Sequence, residues 1–145
     1  DTEEYSWDNS ARIRYDSDHK VEGNGSYRFN LQKGWSRWVL TMKNNQSIDI
    51  SDYKQMKFAV SSLSAAKWDD FKVIIQDRDD NYMVAKLADL GFKPDGKFHW
   101  LILEIEGIKQ AGVDVSNLGK IIQIAWGGGI GANHSFHLDG LQLLK

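Results

Sequence analysis

Ser26-Tyr27-Arg28-Phe29-Asn30-Leu31 alternates without a break, so an extended chain puts Tyr27, Phe29 and Leu31 on one face and Ser26, Arg28 and Asn30 on the other. A period of two marks a strand with one buried face; a helix would scatter the same residues around its circumference. The pattern recurs along the chain. Trp38, Leu40 and Met42 oppose Arg37, Val39 and Thr41, and Met56, Phe58 and Val60 oppose Lys57, Ala59 and Ser61. Phe71, Val73 and Ile75 oppose Lys72, Ile74 and Gln76, and further runs occupy 82–87, 98–105, 121–126 and 136–144. The only helical competitor is a single turn at 114–118. Glycines fall between the runs, at Gly23, Gly25, Gly34, Gly96, Gly107 and Gly112 and again from Gly127 to Gly131, where turns belong. Eight short strands joined by turns predict an all-β fold, an antiparallel β-sandwich or jelly roll.

A chain of 145 residues fits a single domain, 1–145, with one sizeable core. The net charge of −2 gives no basic field of the kind that nucleic acid or an anionic membrane requires. No apolar run approaches the roughly 18 residues of a membrane span. Cysteine is absent, which excludes disulfides and thiolate zinc sites but does not decide the compartment. Asp1 opens directly into polar sequence, so a secretion signal is expected to have been removed or to lie on a longer precursor.

Ile48-Asp49-Ile50-Ser51-Asp52-Tyr53 and Val113-Asp114-Val115-Ser116-Asn117-Leu118 share one pattern: apolar, Asp, apolar, Ser, polar, apolar. Asp and Ser side chains bond nearby backbone N–H groups and close compact turns, so the echo reads as one structural device used twice.

Six tryptophans in a largely polar β-type chain are too many for all to be core. Two of them stand beside glycine near strand ends, in Gly34-Trp35-Ser36-Arg37-Trp38 and Gln123-Ile124-Ala125-Trp126-Gly127. An indole that water can reach offers a flat apolar platform with one N–H donor, which suits the C–H face of a sugar ring. Planar amides and guanidinium groups supply the paired hydrogen bonds that adjacent hydroxyls need. Parity puts Trp35 and Arg37 opposite the wholly apolar set Trp38, Leu40 and Met42, hence toward solvent, and sends Lys72, Ile74, Gln76, Gln123 and Ala125 outward as well.

Trp126 shares parity with Ile122 and Ile124; it either caps the core or is re-aimed by a bulge at the glycines that follow. Trp68 lies in a loop and Trp100 in a strand whose core face the sequence leaves open, while Trp7 anchors an N-terminal strand. His137 points away from Phe136 and Leu138 and could reach a groove, or serve structure alone; His134 is a loop residue with no evident partner. The segment Asp77-Arg78-Asp79-Asp80-Asn81 lacks the glycine and terminal glutamate of an EF-hand loop and reads as a hairpin turn.

In this order the chain resembles the jelly-roll carbohydrate-binding modules (galactose-binding-domain-like sandwiches), most of all family 11. The resemblance rests on Asp1-Thr2-Glu3 with Trp7 shortly after, Gly34-Trp35, the Asp49 turn, the Trp100 strand followed by the Asp114 turn, and the closing Leu138-Asp139-Gly140-Leu141. It covers nearly the whole chain. It implies a groove that binds β-glucan, with the groove aromatic at Trp35, late-strand ligands at Lys120, Gln123 and Trp126, and a loop acid within 77–80, taken as Asp77. Lys120 and Gln123 stand where the family carries an acid and a histidine. With the parity argument, the expected ligand-binding set is Trp35, Arg37, Gln76, Asp77, Lys120, Gln123, Trp126 and His137.

The resemblance also implies a structural Ca²⁺ tying the first strand to the last. Its ligands would be Asp1 and Glu3, carbonyls of the turn from Lys20 to Gly25, and Asp139. A carboxylate in an apolar strand needs a partner, and for Asp139 a salt bridge to Lys20 or Arg28 is the alternative. The expected partners are a polysaccharide or oligosaccharide and the catalytic domain of a parent glycoside hydrolase, for a secreted, extracellular and monomeric module.

An enzyme of glycans would need two carboxyl groups about 5 to 9 Å apart. Glu104 and Glu106, about 7 Å apart on one strand face, are the only acids in an apolar strand context, but no partner supports them. No Ser-His-Asp order or His-rich metal triad can be assembled from the four histidines. The expectation is therefore a non-catalytic binder; a structural accessory domain without sugar binding is the main alternative.

Overall fold

The computed structural model describes residues 2–6, 11–23, 25–32, 34–62, 71–127 and 134–145. The alternating runs form strands at β1 (Thr2–Ser6), β2 (Ala11–Asp16), β3 (Ser26–Leu31), β4 (Ser36–Met42) and β5 (Gln55–Ser61). They continue with β6 (Lys72–Asp77), β7 (Tyr82–Lys86), β8 (His99–Glu104), β9 (Leu118–Trp126) and β10 (Ser135–Leu144). Two five-stranded sheets result, ordered β1-β4-β9-β6-β7 and β2-β3-β10-β5-β8. Every pairing is antiparallel, and strands distant in sequence lie side by side, as in a jelly roll. No helix among the described residues is long and apolar enough to cross a membrane.

The inward parity of each sheet makes the core. Trp38, Ile122, Ile124 and Val73 come from the first sheet and Phe29, Phe58, Leu101 and Phe136 from the second, all fully buried. Aromatic rings join the layers: Phe29 lies 4.8 Å from Trp38 and 4.7 Å from Phe136, and Phe136 meets Phe71 edge-on at 5.4 Å. Burying a large apolar side chain contributes about 1.5–3 kcal/mol, so this seam holds the sheets face to face. Gly140 has φ +65°, and a Cβ there would come within 2.4 Å of the Trp100 ring, so only glycine allows that indole to approach β10 so closely.

The sequence echo is a real structural repeat. The Ser51 N–H and hydroxyl both donate to the Asp49 carboxylate at 2.9 and 2.6 Å, and Ser116 does the same to Asp114 at 3.0 and 2.6 Å. The two turns also pair with each other, through Ile48 N–H to the Leu118 carbonyl at 3.1 Å, its reciprocal at 3.0 Å, and Ile50 N–H to Val115 at 2.9 Å.

Two expectations change. β2 was not anticipated, although Ile13 and Tyr15 alternate with arginines; it completes the second sheet by pairing with β3. The strand expected at 98–105 stops at Glu104, and Ile105–Gln110 forms a short helix, α1, that buries Ile105 and Ile108. Apolar residues three apart share a helix face, but Gly107 between them disguises the signal. The 114–118 segment, by contrast, keeps the Asp/Ser turn read from the echo and forms no helix.

Candidate functional site

Register fixes which side chains share the outward face of the first sheet. Tyr5, Val39, Gln123, Ile74 and Val84 stand opposite one another in sequence across all five strands. With neighbouring strands about 4.8 Å apart, that row is about 19 Å long. On one side of it runs a row of Arg37, Ala125, Lys72 and Lys86. On the other side Glu3 faces Thr41, and Lys120 faces Gln76, which faces Tyr82.

Three aromatic rings ring this face in water: Trp35 just before β4 (66 % exposed), Tyr82 on one edge strand (61 %) and Tyr5 on the other (43 %). Burial pushes the Tyr5 phenol above its ordinary pKa, against the pull of Arg37 and with a further push from Glu3. The surface between the rings is uneven. A depression of about 210 Å³ opens between Trp35, Arg37 and Ala125, where the small alanine leaves room. A second of about 210 Å³ lies by Tyr5, Thr41 and Lys120.

A polarised chain of hydrogen bonds runs under these rings. Arg37 donates to Gln123 Oε1 at 3.0 Å, Gln123 Nε2 donates to Gln76 Oε1 at 3.0 Å, and Lys120 Nζ donates to the same oxygen at 3.1 Å. Gln76 Nε2 then donates to Asp80 at 3.0 Å. Arginine and lysine only donate and a carboxylate only accepts, so both amides have one allowed orientation. The array is set before any ligand arrives, which lowers the ordering cost of binding.

Trp35, Arg37, Gln76, Lys120 and Gln123 are thus brought together on one face. Gln123 is fully buried there and bonded at both ends, so it positions Arg37 and Gln76 instead of meeting a ligand itself. Tyr5 and Tyr82 were missed. The alternation of Tyr82, Val84 and Lys86 against Met83 and Ala85 carried the signal for the second; Tyr5 needed the pairing of β1 with β4.

Two expected site residues, Asp77 and His137, lie elsewhere, and a third, Trp126, is a core residue that still helps line the depression beside Trp35 and Arg37. Trp126 is 3 % exposed, and its ring packs 6.2 Å from Phe71 and 6.3 Å from Phe136, so β9 keeps its parity and the indole belongs to the core. Asp77 takes the inward parity opposite Leu118. Its carboxylate closes the β6–β7 hairpin by accepting the N–H groups of Asp79, Asn81 and Asp114 and the Asn81 amide. His137 is on the second sheet, hydrogen-bonded to Asp16 at 2.9 Å with the His19 ring 4.4 Å away. Burial holds its imidazole below the ordinary histidine value despite the Asp16 bond. Trp100 is likewise on the second sheet, under Lys57 Nζ at 4.0 Å. Asp1, Trp7 and Trp68 lie outside the described residues.

The expected calcium ligands among the described residues do not come together. Glu3 faces outward from the first sheet with Tyr5, and Asp139 faces outward from the second with His137, so the whole sandwich separates them. Among the described residues no three acids or histidines cluster as a metal site. Asp139 is instead tied to the turn holding Lys20 and Gly25 through N–H groups: Val21 at 2.8 Å and Glu22 at 3.1 Å, with Gly140 at 2.7 Å. Among the described residues Asp139 makes no salt bridge to Lys20 or Arg28, and N–H donors point at both of its carboxylate oxygens. Asp139→Ala is expected to lower the melting temperature equally in EDTA and in excess Ca²⁺. A wild-type melt that rises with Ca²⁺ would show a cation doing this work.

The two acids that the sequence offered for hydrolysis, Glu104 and Glu106, are placed on different elements. Glu104 ends β8 and accepts from Gln55 Nε2 at 2.8 Å, whereas Glu106 sits on α1, so the two do not share a strand face.

No protein-family model matches the chain, and no curated protein matches it in sequence. Solved structures do share its fold. The family 30 carbohydrate-binding module of cellulosomal cellulase Cel9D-Cel44B of Clostridium thermocellum superposes with a TM-score of 0.72 at 13 % identity, over 99 % of this chain and 91 % of that one. A family 11 module from the same organism, in complex with a β-1,3-1,4-mixed-linked tetrasaccharide, gives 0.68 at 12 % identity over 99 % and 88 %. An exo-β-agarase gives 0.75 at 11 % identity over 97 % of this chain but only 22 % of its own length. The chain therefore has the jelly-roll β-sandwich fold of the carbohydrate-binding modules of families 30 and 11.

Proposed function

We propose that this chain is a non-catalytic carbohydrate-binding module that takes a β-linked polysaccharide, with a β-glucan backbone, across the outward face of its first sheet. The observation that carries the reading is the combination of three water-exposed aromatic rings with a pre-set chain of amide, guanidinium and ammonium groups between them. Rings stack on the C–H faces of sugars, and the polar chain answers their hydroxyls. The face runs about 19 Å from edge strand to edge strand, long enough for several sugar units and open at both ends, which suits the interior of a chain. Such a module acts outside the cell by holding an attached glycoside hydrolase at its substrate. The relatives in fold are named as binding modules, and one carries a bound tetrasaccharide, which supports the same reading.

Affinity electrophoresis against soluble β-glucans, xylan, mannan and agarose tests it. Retardation is expected in β-glucan gels, with no reducing ends released from the polymer. Unretarded migration in every gel would favour an accessory domain without sugar binding, as the exo-β-agarase, where the likeness spans a small part of a longer chain, allows.

A further inference from the structure

Lys72 and Lys86 are direct cross-strand partners on the outward face of the first sheet, in the same row as Arg37 and Ala125. Like charges placed opposite each other on a strand pair destabilise it. Among the described residues neither lysine makes an ion pair that would relieve that cost. Four aspartates, Asp49, Asp77, Asp114 and Asp139, are committed to backbone N–H groups away from this pair. Among the described residues the face carries Arg37, Lys72, Lys86 and Lys120 against Glu3 and Asp80, a surplus of two positive charges on a protein whose net charge is −2. The surplus gathers beside Trp35 and the depression over Ala125. From Arg37 to Lys86 the row crosses three strand spacings, about 14 Å, more than one pyranose ring.

We propose that this row selects β-linked chains bearing oxyanion groups, carboxylate or sulfate, over the same chains without charge. The inference rests on the sugar-binding reading of this face and adds the chemical class of the glycan. The sugar ring stacks on Trp35 and its oxyanion lies over Ala125, between the guanidinium of Arg37 and the ammonium groups of Lys72 and Lys86. The oxyanion then supplies a countercharge to the lysine pair, which makes no ion pair among the described residues.

Isothermal titration of the full chain with one soluble β-glucan in three forms tests this: neutral, with primary hydroxyls oxidised to carboxylates, and with hydroxyls sulfated. At low salt the carboxylated or the sulfated form is expected to bind about ten-fold more tightly than the neutral one, and whichever is favoured names the oxyanion. The advantage should fade at about 1 M salt, where the screening length is about 3 Å. Lys72→Gln with Lys86→Gln should bring the ratio of charged to neutral affinity close to one. Equal affinities for all three forms, or equally tight binding of α-linked dextran sulfate, would overturn the inference while leaving sugar binding intact. Failure of every β-glucan form to bind would overturn the sugar reading and this inference together.

Discussion

Trp35→Ala is expected to remove most of the affinity for β-glucan, about 1–3 kcal/mol in the manner of an aromatic hot spot, and to leave the melting temperature nearly unchanged. The indole is two-thirds exposed, so its removal uncovers little and opens no cavity. Trp38 is three residues on, with the opposite parity and no exposure at all, packed against Phe29 and Tyr27. Trp38→Ala should therefore cost about 3–5 kcal/mol of stability through the void it leaves. Trp38→Phe should cost far less, because among the described residues Trp38 Nε1 is buried without a hydrogen-bond partner and its loss removes an unsatisfied donor. Calorimetric titration and thermal melts of the variants separate the two roles. An early-melting Trp35→Ala protein that binds normally would put the site on another face.

Asp77→Ala carries the largest expected stability effect outside the aromatic core. Its carboxylate receives three backbone N–H groups and the Asn81 amide, joining the β6–β7 hairpin to the Asp114 turn. Hydrogen bonds to charged groups contribute about 1.5–3 kcal/mol each and are not additive, so a net loss of about 2–4 kcal/mol is expected. Burial alone would raise the Asp77 carboxyl, but the bonds from Asp114, Asn81 and Asp79 outweigh it and hold the group below its ordinary value of 3.8. A carboxyl whose folded pKa is depressed stabilises fully above that ordinary value, and the stabilisation is lost as pH falls from it through the folded pKa. Urea denaturation should show wild type losing its advantage over Asp77→Ala as the pH drops below about 4. A stability difference that stayed constant down to pH 2 would mean that Asp77 is not the titrating clamp.

What the sequence determined by itself was local. Period two fixed which residues of β3, β4, β5, β6 and β9 face inward, because successive side chains of a strand point to opposite faces. Hence the outward placement of Trp35, Arg37, Gln76 and Gln123 was legible residue by residue, whereas Lys120 has the parity of Ile122 and Ile124 and reaches Gln76 only through the register shift between the Ile74 and Gln76 pairings. The twin turns at Asp49 and Asp114 were legible too, since an Asx turn involves neighbours two residues apart.

Only the tertiary structure decided which strands are neighbours. His137 and Asp139 have outward parity, as Gln123 does, but β10 joins the second sheet and β9 the first, which puts them on opposite sides of the molecule. Parity says in or out; it does not say of which sheet. Tyr5, Tyr82, Lys72 and Lys86 became parts of one face only through the pairings of β1 with β4 and of β6 with β7. Those pairings are set by packing and backbone hydrogen bonding between residues far apart in the chain, and no local pattern of residues encodes them.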